Sequence, residues 1–302
     1  MRLTKDVFTF DIPAAVERLC RFIRAKRLDL CRNGILVPVS GGLDSSTVLL
    51  LCARAVGKDR VKALLLPERQ GNPDAERFAR LLAGRSGIEA LTRDITPVLE
   101  KLDVYGFIQA RLPLRPVVDL AARAYLRLVR GNPFLEIVHG ATHPLKRRGF
   151  ARINAKHRIR SVVTYLLAEE MNLLVAGCAH KTEGMLGLFV KFGVDDNADV
   201  MPLKNLYRTQ ILRLAAHLGV PDEILQRPPN PDIIPGVSDK YRDVLGLSSD
   251  ILDLILYGIE RNLTNTEIAS RLRLPAKKIQ EIRLLVENTR HMRNPSQSIH
   301  WT

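Results

Sequence analysis

Ile35-Leu36-Val37-Pro38-Val39-Ser40-Gly41-Gly42-Leu43-Asp44-Ser45-Ser46 joins a short apolar run to a segment of helical pattern through two glycines. Residues 35–39 read as a buried strand, and Pro38 marks its end or an edge position, because proline donates no hydrogen bond to a neighbouring strand. Residues 45–55 read as a helix. Between them, Gly41 and Gly42 permit positive φ and let backbone N–H groups approach an anion with no Cβ in the way. Ser40, Ser45 and Ser46 add hydroxyl donors, and the start of the helix adds partial positive charge. Asp44 repels a bare phosphate, so its presence points to Mg2+. An ordinary glycine-rich turn accounts for the two glycines but not for the full Ser-Gly-Gly-x-Asp-Ser-Ser string. The lysine of the G-x-x-x-x-G-K-[ST] phosphate loop is missing.

Outward from this loop the pattern repeats. Residues 12–30 carry Val16, Leu19, Cys20, Phe22 and Ile23 at helical spacing. Strands are expected at 61–66, 89–95 and 173–176, and helices at 73–83 and 154–170. Strands alternating with helices predict an α/β fold, a doubly wound parallel sheet covered on both faces. From 251 onward the chain reads as helical, at 251–257, 264–272 and 276–286. The expected organisation is therefore an α/β domain over 1–250 and a helical extension over 251–302. A segment at about 108–148 interrupts the first domain. It holds eight basic residues, from Arg111 to Arg148, against Asp119 and Glu136. Within it, 117–129 carries a helical apolar stripe.

The 302 residues are 46% hydrophobic and 26% charged, which excludes wholesale disorder and fibrous structure. No apolar run reaches the roughly 18–20 residues of a membrane span, and the first ten residues do not read as a secretory signal. Four scattered cysteines without a C-x-x-C pair argue against a disulfide framework or zinc site and fit the cytoplasm. A net charge of +14 attracts polyanions, whether nucleic acid or phosphorylated small molecules.

The glycine-serine string resembles the pyrophosphate loop of the N-type ATP pyrophosphatases, which cleave ATP between the α and β phosphates and adenylate an acceptor. Further segments are similar to NAD synthetase. These are Asn154-Ala155-Lys156-His157-Arg158-Ile159-Arg160, Gly177-Cys178-Ala179-His180-Lys181-Thr182-Glu183 (Gly-Thr-x-Asn-Lys-Ser-Glu in that family) and Phe189-Val190-Lys191-Phe192-Gly193. Ala198 to Leu203, Leu206 to Gln210, a proline-dense loop at 228–236 and Arg290-His291-Met292-Arg293 continue in the same order. The resemblance covers about 10–107 and 150–296.

The resemblance implies an AMP-forming ligase that adenylates a carboxylate and transfers ammonia, with ATP as co-substrate and a homodimeric assembly. It implies ATP contacts from Val39, Ser40, Gly41, Gly42, Leu43, Asp44, Ser45, Ser46, Cys178, Arg208 and Asn230. It assigns the acidic dinucleotide substrate to Arg158, Lys191, Asp199 and His291, and Mg2+ to Asp44 and Glu183, the two residues expected to carry catalysis. Strand-end positions support the last assignment independently, since ligands of parallel sheets sit beyond the carboxyl ends of the strands. The other role for Glu183 is a plain helix-start acid. Cys178, Arg208, Asn230 and Met292 stand where the family has threonine, lysine, serine or threonine, and lysine, which leaves the acceptor acid open. The length leaves no room for a glutaminase domain, so free ammonia or a separate partner is expected to supply nitrogen.

Two other readings use nucleic acid. One is a tRNA-modifying ATP pyrophosphatase, which suits the basic segment but lacks paired cysteines for sulfur transfer. The other takes 263–286 as a helix-turn-helix; packing of two short helices on the sheet domain is favoured over it.

Overall fold

The computed structural model describes residues 3–106, 143–230 and 237–294. Most of the basic segment, including the expected 117–129 helix, and residues 231–236 of the proline-dense loop lie outside them. Strands β1 (Gly34–Pro38), β2 (Val61–Leu65), β3 (Glu89–Thr92) and β4 (Leu173–Val175) form a sheet in the order β3-β2-β1-β4. Every pairing is parallel, with Ile35 opposite Val61 and Leu174, and Ala63 opposite Ala90. Pro38 closes the central strand rather than lying on an edge strand.

Alternate residues of these strands serve opposite faces, which explains their unbroken apolar character. Ile35, Val37, Ala63, Leu65 and Leu174 join the main core with helices α1 (Ile12–Asp29), α2 (Leu43–Val56) and α3 (Pro73–Ser86). Leu36, Leu64, Leu173 and Val175 face Leu167 and Ala168 on the other side. Local signals set the boundaries. Asp11 accepts the Ala14 N–H and Asn72 the Asp74 N–H at the starts of α1 and α3, each followed by proline in the first turn.

Three expectations shift. The third strand stops at Thr92, because Asp94 turns the chain by accepting the Thr96 N–H and starts α4 (Thr96–Lys101). The helix expected from 154 is α5 (Pro144–Glu170), so the last residues of the 108–148 segment are its first turns. Residues 144–153 put Lys146, Arg147, Arg148 and Arg152 among scattered apolar residues, so periodicity reveals only the second part. Helix α6 (Lys181–Leu186) follows β4, and α7 (Arg208–His217), at a stretch read only as a motif, packs beside α2.

After the short α8 (Asp222–Leu225) and α9 (Arg242–Leu245), helices α10 (Ser249–Glu260), α11 (Asn265–Leu272), α12 (Ala276–Asn288) and α13 (Arg290–Arg293) complete the described chain. Leu252, Ile255, Leu256, Ile268, Ile279, Ile282 and Leu285 build a second core with Phe8, Tyr207 and Tyr241. The two helices at 263–286 thus pack into the protein, and Arg283 is occupied by Asn265 and the Leu263 carbonyl. Among the described residues, no helix is long and apolar enough to cross a membrane.

Candidate active site

The carboxyl ends of β1, β2 and β4 open into one cleft of about 1240 Å³. The β1 end supplies the glycine loop. Gly41 has φ +68°, and a Cβ there would lie 2.3 Å from the Ala75 carbonyl oxygen, so this position needs glycine. Gly42 has φ −89°, an ordinary extended conformation; positive φ is not its role. The Ser45 hydroxyl accepts the Ser40 N–H at 3.2 Å and lies 3.3 Å from the Ser40 hydroxyl, which draws the loop into a tight cradle. First-turn N–H groups of a helix have no intrahelical acceptor. Those of α2 begin at this cradle, beside the cleft.

Asp44 and Glu183 meet across the cleft floor, from the first turns of α2 and α6. Together with His180 they place one ligand atom each within 4.8 Å of one another. Cations surround the pair. Arg208 Nη1 lies 3.3 and 3.5 Å from the two Asp44 carboxylate oxygens, and Lys240 forms an ion pair with Glu183. Burial pushes the Asp44 carboxyl up, but His180, Arg208 and Lys240 outweigh it and hold it below the usual carboxylate range. Burial lowers the Arg208 guanidinium, and Asp44 more than restores it. Burial, with the carboxylates of Asp195 and Asp44 nearby, raises the Cys178 thiol well above its ordinary value, so this cysteine is a poor nucleophile.

A second charged cluster sits at the β2 end of the same cleft. Lys156 Nζ donates to Glu68 Oε1 at 2.7 Å and to Gln70 Oε1 at 3.1 Å. Tyr105 Oη donates to Glu68 Oε2 at 2.6 Å, and the Gln70 N–H to the same oxygen at 2.9 Å. Burial raises the Glu68 carboxyl, and Lys156 with these hydrogen bonds lowers it further than burial raises it.

With this geometry in place, similarity to known proteins decides the family. The NAD synthase family model matches residues 15–129 and 127–296. The chain belongs to the NAD synthase family. The ammonia-dependent NAD(+) synthetase of Thermotoga maritima is 39% identical over 250 residues, 82% of this chain and 87% of that protein. The enzyme of the same name from Mesorhizobium japonicum is 33% identical over 91% of this chain and 92% of its own. The structure of the ammonia-dependent NAD synthetase of Campylobacter jejuni superposes with a TM-score of 0.67 at 22% identity, covering 97% of this chain and all of that one (100%). At that identity the superposition speaks for the fold alone. The family match runs on into the basic segment beyond residue 108.

The residues that resemblance to NAD synthetases singled out fall into three groups. Val39, Ser40, Gly42, Leu43, Asp44, Ser45, Cys178, Glu183, Arg208 and Asn230 line the cleft, as do Arg158, Lys191 and His291. The last three also form a chain of contacts: Arg158 donates to the Lys191 carbonyl at 3.4 Å, and Lys191 Nζ to the His291 carbonyl at 3.1 Å. Gly41, Ser46 and Asp199 do not line the cleft. Gly41 packs against α3 and offers its carbonyl to Arg227 at 2.9 Å. Ser46 is fully buried. The Asp199 carboxylate accepts the Val175 N–H at 2.8 Å and the Tyr165 hydroxyl at 3.1 Å, which ties it to the end of β4.

Three participants escaped the sequence reading. His180 was visible only as a histidine in the motif before Glu183. Lys240 gave no signal. Asp253 did, as a lone acid inside an apolar helix. It is fully buried and accepts from Thr182 Oγ1 at 2.6 Å, from the Thr209 N–H at 2.7 Å and from Thr209 Oγ1 at 2.6 Å. Burial raises its carboxyl despite these donors. It anchors the starts of α6 and α7, and so the backbone that carries Glu183 and Arg208.

Proposed function

We propose that this protein is an ammonia-dependent NAD synthetase, which adenylates the carboxylate of nicotinic acid adenine dinucleotide with ATP and passes the acyl group to ammonia. The observation that carries the reading is the glycine-serine cradle at the end of β1, facing Glu183 across the cleft with Asp44 between them. Ser40, Ser45 and the first-turn N–H groups of α2 bind the β and γ phosphates. Arg208, already beside Asp44, reaches the α phosphate and stabilises charge as the carboxylate oxygen attacks phosphorus and pyrophosphate leaves. Arg158, Lys191 and His291 hold the acid in line on the other wall. The pair of carboxylates fits Mg2+, because two hard oxygen donors already share one cation-compensated pocket. Mg2+ held there by Asp44 and Glu183 would neutralise the departing pyrophosphate. The adenylate then loses AMP to ammonia. No side chain is needed as a general base in the adenylation step; catalysis is positioning and charge.

We further place the enzyme as a cytoplasmic homodimer. The four cysteines are free, which suits a reducing compartment. Val162, Leu166 and Phe192, exposed at 62%, 55% and 52%, line a shallow depression on the outer face of α5, an apolar surface of the kind a second copy covers. The α/β unit over 1–250 and the helical extension over 251–302 are proposed to work as one catalytic body, because Lys278, Glu281 and His291 also line the cleft.

The test is a product assay with purified protein, ATP, Mg2+, ammonium and nicotinic acid adenine dinucleotide. The expected result is one AMP, one pyrophosphate and one NAD per turnover. AMP release with nicotinic acid mononucleotide or with tRNA, and not with the dinucleotide, would move the acceptor; ADP would refute the reaction class.

A further inference from the structure

His180 is 1% exposed, and neither ring nitrogen has a hydrogen-bond partner. Burying an imidazole without partners is costly, since it forfeits hydration at both nitrogens. Its Nε2 is aimed at the two carboxylates of the cleft floor, 3.4 Å from Glu183 Oε2 and 3.9 Å from Asp44 Oδ1. Ligand atoms that each sit about 2.1 Å from one ion stand roughly 3–4 Å apart, so the imidazole is placed to share an ion with either carboxylate, and all three groups lie within 4.8 Å of one another. Imidazole nitrogen is the donor that borderline metals prefer.

We propose that His180 is a third protein ligand at this site, and that its nitrogen turns the site toward divalent transition metals, Mn2+, Co2+ or Zn2+, relative to Mg2+. This rests on the reading of Asp44 and Glu183 as cation ligands. The Lys240 ammonium now compensates Glu183, and a divalent cation would take its place while Arg208 stays with Asp44. The imidazole would coordinate through the lone pair of a ring nitrogen.

The experiment uses the full-length protein and Mn2+ alone as the probe, read by pulsed electron paramagnetic resonance. Wild type is expected to show 14N modulation from a bound imidazole; His180→Asn is expected to keep Mn2+ and lose the modulation. Calorimetry with Co2+ and Mg2+ gives the selectivity: in H180N the Co2+ Kd should rise by about tenfold or more while that for Mg2+ changes less than about threefold. Bound Mn2+ without nitrogen coupling, coupling that survives in H180N, or equal weakening of both metals would overturn the proposal and leave the Asp44–Glu183 reading standing. Mn2+ binding that is indifferent to Asp44→Asn would defeat both. Near-UV circular dichroism checks that H180N is folded, and His180→Gln replaces it if not.

Discussion

Two charged clusters share one cleft, and they are built to opposite specifications. At the end of β2, both Glu68 oxygens are taken, by Lys156 at 2.7 Å, by Tyr105 at 2.6 Å and by a backbone N–H at 2.9 Å. At the ends of β1 and β4, Arg208 stands 3.3 Å or more from Asp44, and His180 has no hydrogen-bond partner at all. The first cluster is complete in itself. The second has its charges gathered, Lys240 on Glu183 and Arg208 on Asp44, and leaves the His180 ring nitrogens unspent. Buried polar groups are usually paired; the contrast therefore separates a cluster that is satisfied within itself from one that keeps two buried nitrogens without a partner.

Substitutions test that separation. Asp44→Asn is expected to cost about 10³-fold in AMP formation, because it removes one of the two carboxylates proposed to hold Mg2+ where charge develops. Its loss of stability in urea should be smaller than that of Glu68→Ala, and the reverse ranking would dissolve the contrast. Glu68→Ala leaves Lys156 without its buried partner, with an expected loss of about 3 kcal/mol at neutral pH. The sign of its pH dependence follows from the lowered Glu68 carboxyl. The stabilisation is complete above the ordinary carboxylate range and disappears as pH falls through the depressed folded value. The gap between wild type and E68A should therefore narrow from pH 7 to pH 3 in urea titrations. A gap that widens would show the pair to be no source of stability. The smallest effect is at Gly41→Ala, about 2 kcal/mol, from a left-handed φ and a Cβ 2.3 Å from a carbonyl oxygen. Undiminished stability of G41A would mean that the cradle yields easily and is not preorganised.

The first half of the site is local in the chain, which is why it was readable. Residues 39–46 contain their own strand end, turn and helix start, so the string alone told the local fold. Glu68 and Lys156 lie 88 residues apart, and nothing near either announces the other. His180 and Lys240 are legible as residue types but acquire meaning only when β4 is laid beside β1. The extension of α5 back to Pro144 was hidden for a different reason: a helix start crowded with basic residues leaves no apolar rhythm in the sequence. Asp199 shows the converse. Its place in a shared motif suggests substrate contact but gives no hint that its carboxylate also accepts the Val175 N–H.

Asp253 reaches out of α10 to the first residues of two other helices at once. Helix α10 is therefore a keystone for segments that lie 44 and 71 residues earlier in the chain. A protein cut before α10 would keep every residue of the glycine-serine cradle and still lose the shared anchor that fixes the helix starts carrying Glu183 and Arg208.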